Sequence, residues 1–230
     1  MKISIIIPTY NEASCISNTL SELLIRKSEE AYIKEILVVD GHSQDETQHL
    51  VKTFDQAKLI VSKKGRPQQM NVGAKQAKGD ILYFLHADSL PPQDYDKLIV
   101  DAITNGHKAG CFCMQFDLDH PWMKFISWLT KFSFRACRGG DQSLFVTKEL
   151  FETCGGYDER FKIFEDHELI GKLYKKTRFY VIQKQLISSA RRFREKGILK
   201  LQLLFWAIYF KKWMGATPEA LFKFYKSYIS

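Results

Sequence analysis

The sequence predicts an α/β fold in which a mostly parallel central sheet is covered by helices on both faces. Short continuous runs of Ile, Leu and Val alternate with segments whose apolar residues recur at helical spacing. Strands that are buried on both faces give such continuous runs, and parallel neighbours need a crossover, which is usually a helix. With 230 residues, of which 45% are hydrophobic, the chain can bury one core of this kind.

The first part of the chain repeats a strand–helix unit. Strands are predicted at residues 3–7, 36–39, 59–61 and 81–85. The intervening helices are predicted from Ile16, from the capping-box pattern Ser43–Glu46, and from Pro67, which suits a first helical position. We interpret residues 1–105 as a nucleotide-binding half, because ligands of such sheets collect beyond the carboxyl ends of the strands.

The regularity weakens after residue 88. The elements predicted there are a helix near 93–104, a strand near 109–116, an aromatic-rich segment at 122–134, a strand after Gly139, a short helix from Lys148 and a helix ending near Lys176. We assign an acceptor half to residues 106–197, so that residues 1–197 form one domain. Residues 198–230 are predicted to be a basic amphipathic helical tail.

Polar residues follow each of the four predicted strands. The segments are Pro8–Glu12, Asp40–Ser43, Lys63–Arg66 and His86–Ser89. Each segment carries at least one acidic or basic group, and the carboxyl ends of parallel strands meet at one edge of a sheet. This arrangement predicts a ligand site at that edge.

Charge and cysteine content limit the partners and the compartment. The net charge of +8 favours anionic partners, and much of the excess lies between Arg191 and Lys226. Five cysteines, an odd number in a chain of this size, indicate reduced thiols in a cytoplasmic setting. The opening apolar run is too short for a signal peptide, and Lys200 interrupts the nearest candidate for a spanning helix.

Several motifs carry a family resemblance that covers about residues 1–195. The motifs are Ile5–Glu12, Val38–Thr47, Phe84–Asp88 and Phe164–Asp166. Together they resemble the family 2 glycosyltransferases, which have the Rossmann-like GT-A fold. The segment Gly65–Ala74 is similar to a short-chain subgroup often described as associated with arsenosugar biosynthesis.

The resemblance implies transfer of a sugar from a nucleoside diphosphate donor, with UDP as the expected nucleotide, to an acceptor hydroxyl with inversion. Such a displacement needs residues that bind the nucleotide, positive charge that neutralises the departing diphosphate, and a base that accepts the proton of the hydroxyl. Asp166 is the implied general base, with Glu165 beside it. Acceptor-side residues by the same resemblance are Gly140, Asp141 and Gln142. The implied donor-binding residues are Pro8, Thr9, Glu12, Asp40, Arg66, Asp88, Arg191 and Arg192.

A divalent cation is also implied, with Asp88 as its ligand. The family commonly has an Asp where this sequence has His86, and a second Asp where it has Gly41. Imidazole in place of a carboxylate makes the site less negative and suits softer cations. We therefore expect Mn²⁺ or Mg²⁺, with His86 as the second ligand and Mn²⁺ favoured.

The tail allows two interpretations. Apolar residues recur at helical spacing from Leu201 to Tyr209, and lysines stand near both ends of this run. The pattern is typical of a helix packed on a core and of one lying on anionic lipid. The second interpretation would place the protein peripherally on the inner face of a membrane. The acceptor is left open among a lipid, a saccharide and a small molecule.

Three other functions compete with this interpretation. A nucleotidyltransferase has a similar sheet but normally carries a glycine-rich phosphate loop after the first strand, and Pro8–Glu12 contains no glycine. A dinucleotide oxidoreductase is disfavoured for the same reason. A non-catalytic module that binds an anionic ligand or a membrane would explain the net charge. It would not explain carboxylates after successive strands, and nucleic acid is not an expected partner.

Overall fold

The chain folds around one mixed sheet of eight strands in a computed structural model that describes residues 1–139 and 142–228. The strands are β1 Ile3–Thr9, β2 Ile33–Asp40, β3 Ala57–Val61, β4 Ile81–Phe84, β5 Ser89–Leu90, β6 Ala109–Phe116, β7 Leu144–Thr147 and β8 Tyr180–Ser188. Their order across the sheet is β3-β2-β1-β4-β7-β6-β8-β5.

Helices lie between these strands and follow the last one. They are α1 Ile16–Arg26, α2 Thr47–Lys52, α3 Arg66–Gln76, α4 Tyr95–Thr104, α5 Pro121–Leu129, α6 Lys148–Thr153, α7 Glu165–Lys176, α8 Arg191–Lys196, α9 Ile198–Trp213 and α10 Pro218–Tyr228. A short 3₁₀ helix covers Arg135–Cys137.

The predicted parallel arrangement holds for the first four long strands. β3, β2, β1 and β4 are parallel neighbours. β7 is antiparallel to both β4 and β6, whereas β6 and β8 are parallel and β5 is antiparallel to β8. The second half of the sheet is therefore mixed, while the α/β class is as predicted.

The core lies on both faces of the sheet, which explains the continuous apolar runs. Successive side chains of β1 alternate between the faces, so that Ile6 joins one cluster and Ile5 joins the other. The Ile6 cluster packs against α3, α6 and α7, and the Ile5 cluster packs against α1 and α4. A strand that is covered on both sides has no solvent-facing side, so its sequence lacks the alternation of apolar and polar residues.

The loop after β2 differs from the predicted capping box. α2 begins at Thr47, and the Ser43 side chain does not cap it. The Ser43 hydroxyl instead donates to Asp40 Oδ1, and the Ser43 backbone N–H donates to Asp40 Oδ2 at 2.8 Å. The predicted cap is wrong because a buried carboxylate at the strand end competes for the hydroxyl.

Residues 198–228, the tail, pack on the second half of the domain through one face. Leu201 and Ile208 of α9 and Leu221 of α10 are buried with Phe116 and Phe193 in a third apolar cluster. The Tyr209 hydroxyl also bonds Nε2 of His167 in α7. The tail thus has a core-packed face, while much of its opposite face is exposed.

Burial of His167 predicts a loss of stability in acid. Burial lowers its pKa from 6.5 to about 4, and the charge of Arg135 acts in the same direction. Between pH 6.5 and about 4, His167 is protonated in the unfolded chain but stays neutral in the folded protein. The free energy of unfolding therefore decreases as the pH falls through this range. We expect about 2 kcal/mol lower unfolding free energy at about pH 5 than at neutral pH from this group.

Urea unfolding of the wild type and of His167→Gln at both pH values measures this contribution. The substitution removes the titrating group, so the pH-dependent loss should shrink in the variant even if its absolute stability is lower. Equal pH dependence in the two proteins would contradict the prediction.

Candidate functional site

A cleft of about 500 Å³ opens beyond the carboxyl ends of β1 and β4. It is bounded by the loops after these strands, the start of α3, the start of α8 and the inner face of the tail. Most of the predicted donor-binding and metal residues line it. These residues are Pro8, Thr9, Glu12, Arg66, His86, Asp88, Arg191 and Arg192.

Gln69 of α3 forms hydrogen bonds to the ends of β1 and β2, beside the cleft. Its Nε2 donates to the carbonyl oxygens of Thr9 and Val39, at 2.7 Å each. It therefore joins the last residues of β1 and β2, and Gln69 is itself almost completely buried. The sequence analysis did not single out Gln69, although it lies inside the Gly65–Ala74 motif.

An ion pair closes one side of the cleft. Nη2 of Arg191, at the start of α8, lies 3.3 Å from Oε2 of Glu12 in the loop after β1. Partial burial lowers the pKa of Arg191, but the negative charges of Glu12 and Asp88 raise it, and the net pKa lies above the ordinary value. The neighbouring thiol of Cys15 is inert at neutral pH, because burial and Glu12 raise its pKa to about 12.

Asp40 is brought near this site but does not line the cleft. It is fully buried, and its carboxylate accepts hydrogen bonds from Thr9 Oγ1 at 3.2 Å and Gln48 Nε2 at 2.7 Å. Two further bonds come from Ser43. In this structure Asp40 holds the loops after β1 and β2 together, and its direct contact with a donor stays a prediction.

The acidic pair lies at the start of α7, behind Arg66. Phe164, which precedes the pair, has a left-handed φ of 70°, so the chain turns sharply into the helix. Nε of Arg66 lies 3.2 Å from Oε1 of Glu165, and its Nη2 lies 3.3 Å from Oδ2 of Asp166. The Arg66 guanidinium therefore lies between the carboxylates of Glu165 and Asp166, which are both largely buried. It also links these two carboxylates to the cleft.

His86 and Asp88 follow β4 and face the same cleft. Nη2 of Arg66 lies 3.1 Å from Nε2 and 3.2 Å from Nδ1 of His86. Within residues 1–139 and 142–228, no group of three or more His, Cys, Asp or Glu side chains could hold a metal ion. Asp88 would give such an ion a carboxylate and His86 an imidazole, and the remaining ligands would come from a diphosphate and water.

The predicted acceptor-side residues are only partly described by the structure. Gln142 is buried, its Oε1 accepts from the Gly139 backbone N–H at 3.4 Å, and it is not among the residues that line the cleft. Gly140 and Asp141 lie outside the described residues. The wall facing the strand ends is formed by residues that the sequence analysis did not assign to the site, namely Glu159, Lys162, Phe193, Leu201, Phe205 and Phe222.

The model of the family described as Glycosyl transferase family 2 matches residues 4–156, about two thirds of the chain. The chain belongs to this family. The predicted family is therefore confirmed, and the matched region contains the strand-end loops that carry most of the cleft. It does not extend to Asp166, Arg191 or the tail.

Relatives and solved structures agree with membership of glycosyl transferase family 2. The chain is 26% identical over 197 residues to the Probable glycosyltransferase YdaM of Bacillus subtilis, a match that covers 75% of this chain and 46% of YdaM. It therefore spans about half the length of that relative.

Two solved glycosyltransferases show the same fold at low identity. Staphylococcus aureus TarS 1–349 in complex with UDP-GlcNAc has a TM-score of 0.67 and 21% identity, over 83% of this chain and 59% of that one. The mannosyltransferase PcManGT of Pyrobaculum calidifontis, in complex with GDP-Man and Mn²⁺, has a TM-score of 0.65 and 19% identity, over 85% of this chain and 61% of that one. The predicted GT-A fold is thereby confirmed.

Proposed function

We propose that this protein transfers a sugar from a nucleoside diphosphate donor to an acceptor hydroxyl, with inversion at the sugar. The observation that carries the proposal is a cleft lined by Arg66, Arg191 and Arg192, in which Arg66 also pairs with the acidic residues Glu165 and Asp166 behind it. Diphosphate departure needs positive charge, and attack by a hydroxyl needs a base. The cleft supplies the positive charge, and Arg66 connects it to the two carboxylates.

The donor would lie across the strand ends. Pro8, Thr9 and Tyr10 form a wall on which a nucleobase can rest, and Lys64 packs over the Tyr10 ring with Nζ 3.3 Å from its centroid. The first residues of α3 also line the cleft, and the positive end of a helix favours phosphate. UDP is our first candidate, supported by the TarS complex with UDP-GlcNAc, and GDP is the alternative, supported by the PcManGT complex.

Asp166 is the group we assign as the general base. In a single displacement, the acceptor oxygen forms a bond to the anomeric carbon while the bond from that carbon to the diphosphate oxygen breaks. The hydroxyl proton passes to Asp166, and the electron pair leaves with the diphosphate. Arg66 holds the Asp166 carboxylate in an ion pair, with Nη2 of Arg66 3.3 Å from Oδ2 of Asp166. Glu165 holds Arg66 from the other side.

Asp88 and His86 are the residues that would hold a divalent cation. A carboxylate and an imidazole together suit Mn²⁺ as well as Mg²⁺. A bound cation would neutralise charge on the departing diphosphate. The arginines at the start of α8 border the same volume, so positive charge is available there from the protein itself.

Donor recognition can be tested by thermal shift with UDP, GDP and CDP, each with and without Mn²⁺. A ligand at a hundredfold excess over its Kd stabilises the folded protein by about 2.7 kcal/mol, which corresponds to a rise in Tm of about 5–10 °C for a chain of this size. We expect such a rise with one nucleoside diphosphate, strengthened by Mn²⁺.

Arg192→Ala should diminish that rise because it removes a cation from the cleft, whereas Arg178→Ala, which removes an exposed arginine outside it, should not. Absence of a shift with every nucleotide and metal combination would overturn the proposed function.

A further inference from the structure

Helix α9 is apolar on two opposite faces. One face is buried on the domain through Leu201 and Ile208. The other presents residues that recur every three or four positions and are between 51% and 79% exposed. They are Leu199, Leu203, Trp206, Phe210 and Trp213. A helix that is apolar all round is normally covered all round, so the outer stripe needs a second apolar environment.

Helix α5 extends this stripe into a continuous surface. The Trp122 ring of α5 lies 6.0 Å from the Trp206 ring of α9 and 5.6 Å from Phe125, measured between centroids. Trp128 and Phe132 continue the row, with centroids 4.8 Å apart. Phe125, Trp128 and Phe132 are each 39–49% exposed. We call these three residues and the α9 stripe the aromatic surface.

The two segments that carry the aromatic surface are basic. Residues 121–139 contain Lys124, Lys131 and two arginines but no acidic residue, and residues 196–218 contain four lysines and again no acidic residue. Lys131, Lys200 and Lys211 are exposed. Asp119, Glu195 and Glu219 flank these two segments in sequence, and Asp119 is paired with Lys124 at 2.5 Å. An apolar surface with a basic rim complements an anionic one.

We propose that the aromatic surface lies on an anionic phospholipid bilayer, with α5 and α9 in the plane of the interface. Tryptophan and other aromatic side chains favour the headgroup region, where an apolar ring and a polar edge are both solvated. Lysines beside them gain from the negative surface potential of anionic lipids. No helix among residues 1–139 and 142–228 is long and apolar enough to cross a membrane, and the attachment is accordingly interfacial.

Vesicle sedimentation with the full chain tests this proposal. Vesicles of phosphatidylcholine alone are compared with equimolar phosphatidylcholine and phosphatidylglycerol, and the protein is expected to sediment with the second. In Leu203→Ser/Trp213→Ser the partition coefficient should fall by about tenfold for each side chain removed, because each loses apolar area to bury. Ile25→Ser, which changes an equally exposed side chain on α1, is the matched control and should bind like the wild type.

The basic rim is tested separately. Lys131→Gln/Lys200→Gln should weaken binding to the anionic vesicles by about fivefold for each lysine, and added salt should have a similar effect. Lys34→Gln/Lys75→Gln, which changes two exposed lysines elsewhere, should have a much smaller effect. All variants should keep the wild-type Tm and the wild-type response to nucleotide, so that a failure of membrane binding is distinguishable from a failure of the proposed transferase function.

Two results would overturn the proposal. One is binding to neither kind of vesicle together with a concentration-dependent dimer that Leu203→Ser/Trp213→Ser dissociates, which would make the aromatic surface a contact between copies. The other is vesicle binding that is the same in the wild type and in Leu203→Ser/Trp213→Ser, which would place the lipid contact elsewhere on the chain.

Discussion

Asp166→Asn is expected to reduce kcat for sugar transfer by about a thousandfold, while the protein still binds its nucleotide donor. A positioned general base contributes about 10²–10⁴ to the rate, and an amide cannot accept the hydroxyl proton. The substitution keeps the size of the side chain and its place at the start of α7, and it removes the charge that pairs with Arg66. Single-turnover kinetics with saturating donor would measure the loss directly.

Glu168→Gln is the matched control for this experiment. It removes one carboxylate from the same helix, two residues further on, at a half-buried position, whereas Asp166 is the carboxylate that pairs with Arg66 of the cleft. We expect its kcat to stay close to that of the wild type. Asp166→Asn with an undiminished kcat would refute the assignment of the base and would leave the donor site untouched.

Gly110→Ala is expected to destabilise the folded protein by about 3 kcal/mol or more, because it overpacks the middle of the sheet. Gly110 lies in β6 where the strand meets β7 on one side and β8 on the other. A Cβ atom there would stand 2.2 Å from the Tyr180 carbonyl oxygen and 2.5 Å from the Phe145 ring. Phe145 is fully buried and the oxygen belongs to the backbone, so neither can retreat easily.

Urea unfolding of Gly110→Ala and of Gly139→Ala would measure this effect. An added Cβ at Gly139 meets nothing within 4 Å among residues 1–139 and 142–228, and the effect of alanine on the unfolded chain is the same in both variants. Gly139→Ala should therefore show a small change in unfolding free energy. An equally small change in Gly110→Ala would mean that β6 and its neighbours are more widely spaced than the structure shows.

Strands β1, β2 and β4 could be predicted from the sequence because their apolar runs are buried on both faces. These runs are Ile5–Ile7 in β1, Ile36–Val39 in β2 and the whole of β4. β3 is the exception, since Ile60 is its one buried residue. β8 escaped prediction because Gln183–Gln185 are polar and exposed in its middle, next to an irregularity in its pairing with β6. β5 has only two residues, which is too short for any periodicity.

The position of the site followed from topology, but its contacts did not. Residues after β1 and β4 line the cleft as the strand-end rule predicts. The rule says nothing of side-chain direction, and Asp40 turns into the protein because Ser43 and Gln48 supply donors there. The apolar wall that includes Leu201 and Phe222 could not be foreseen either, because it depends on how the tail packs across the domain.

The strand order also bears on how the chain acquires its structure during synthesis. β1 to β4 are neighbours in the sheet and are complete by Phe84, so they can pair early. β5 and β6 must wait for β8, which ends at Ser188, before their shared partner exists. A nascent chain therefore exposes unpaired strand edges over some hundred residues of elongation, at about 5–20 residues per second. Chaperone engagement would be most valuable during that interval.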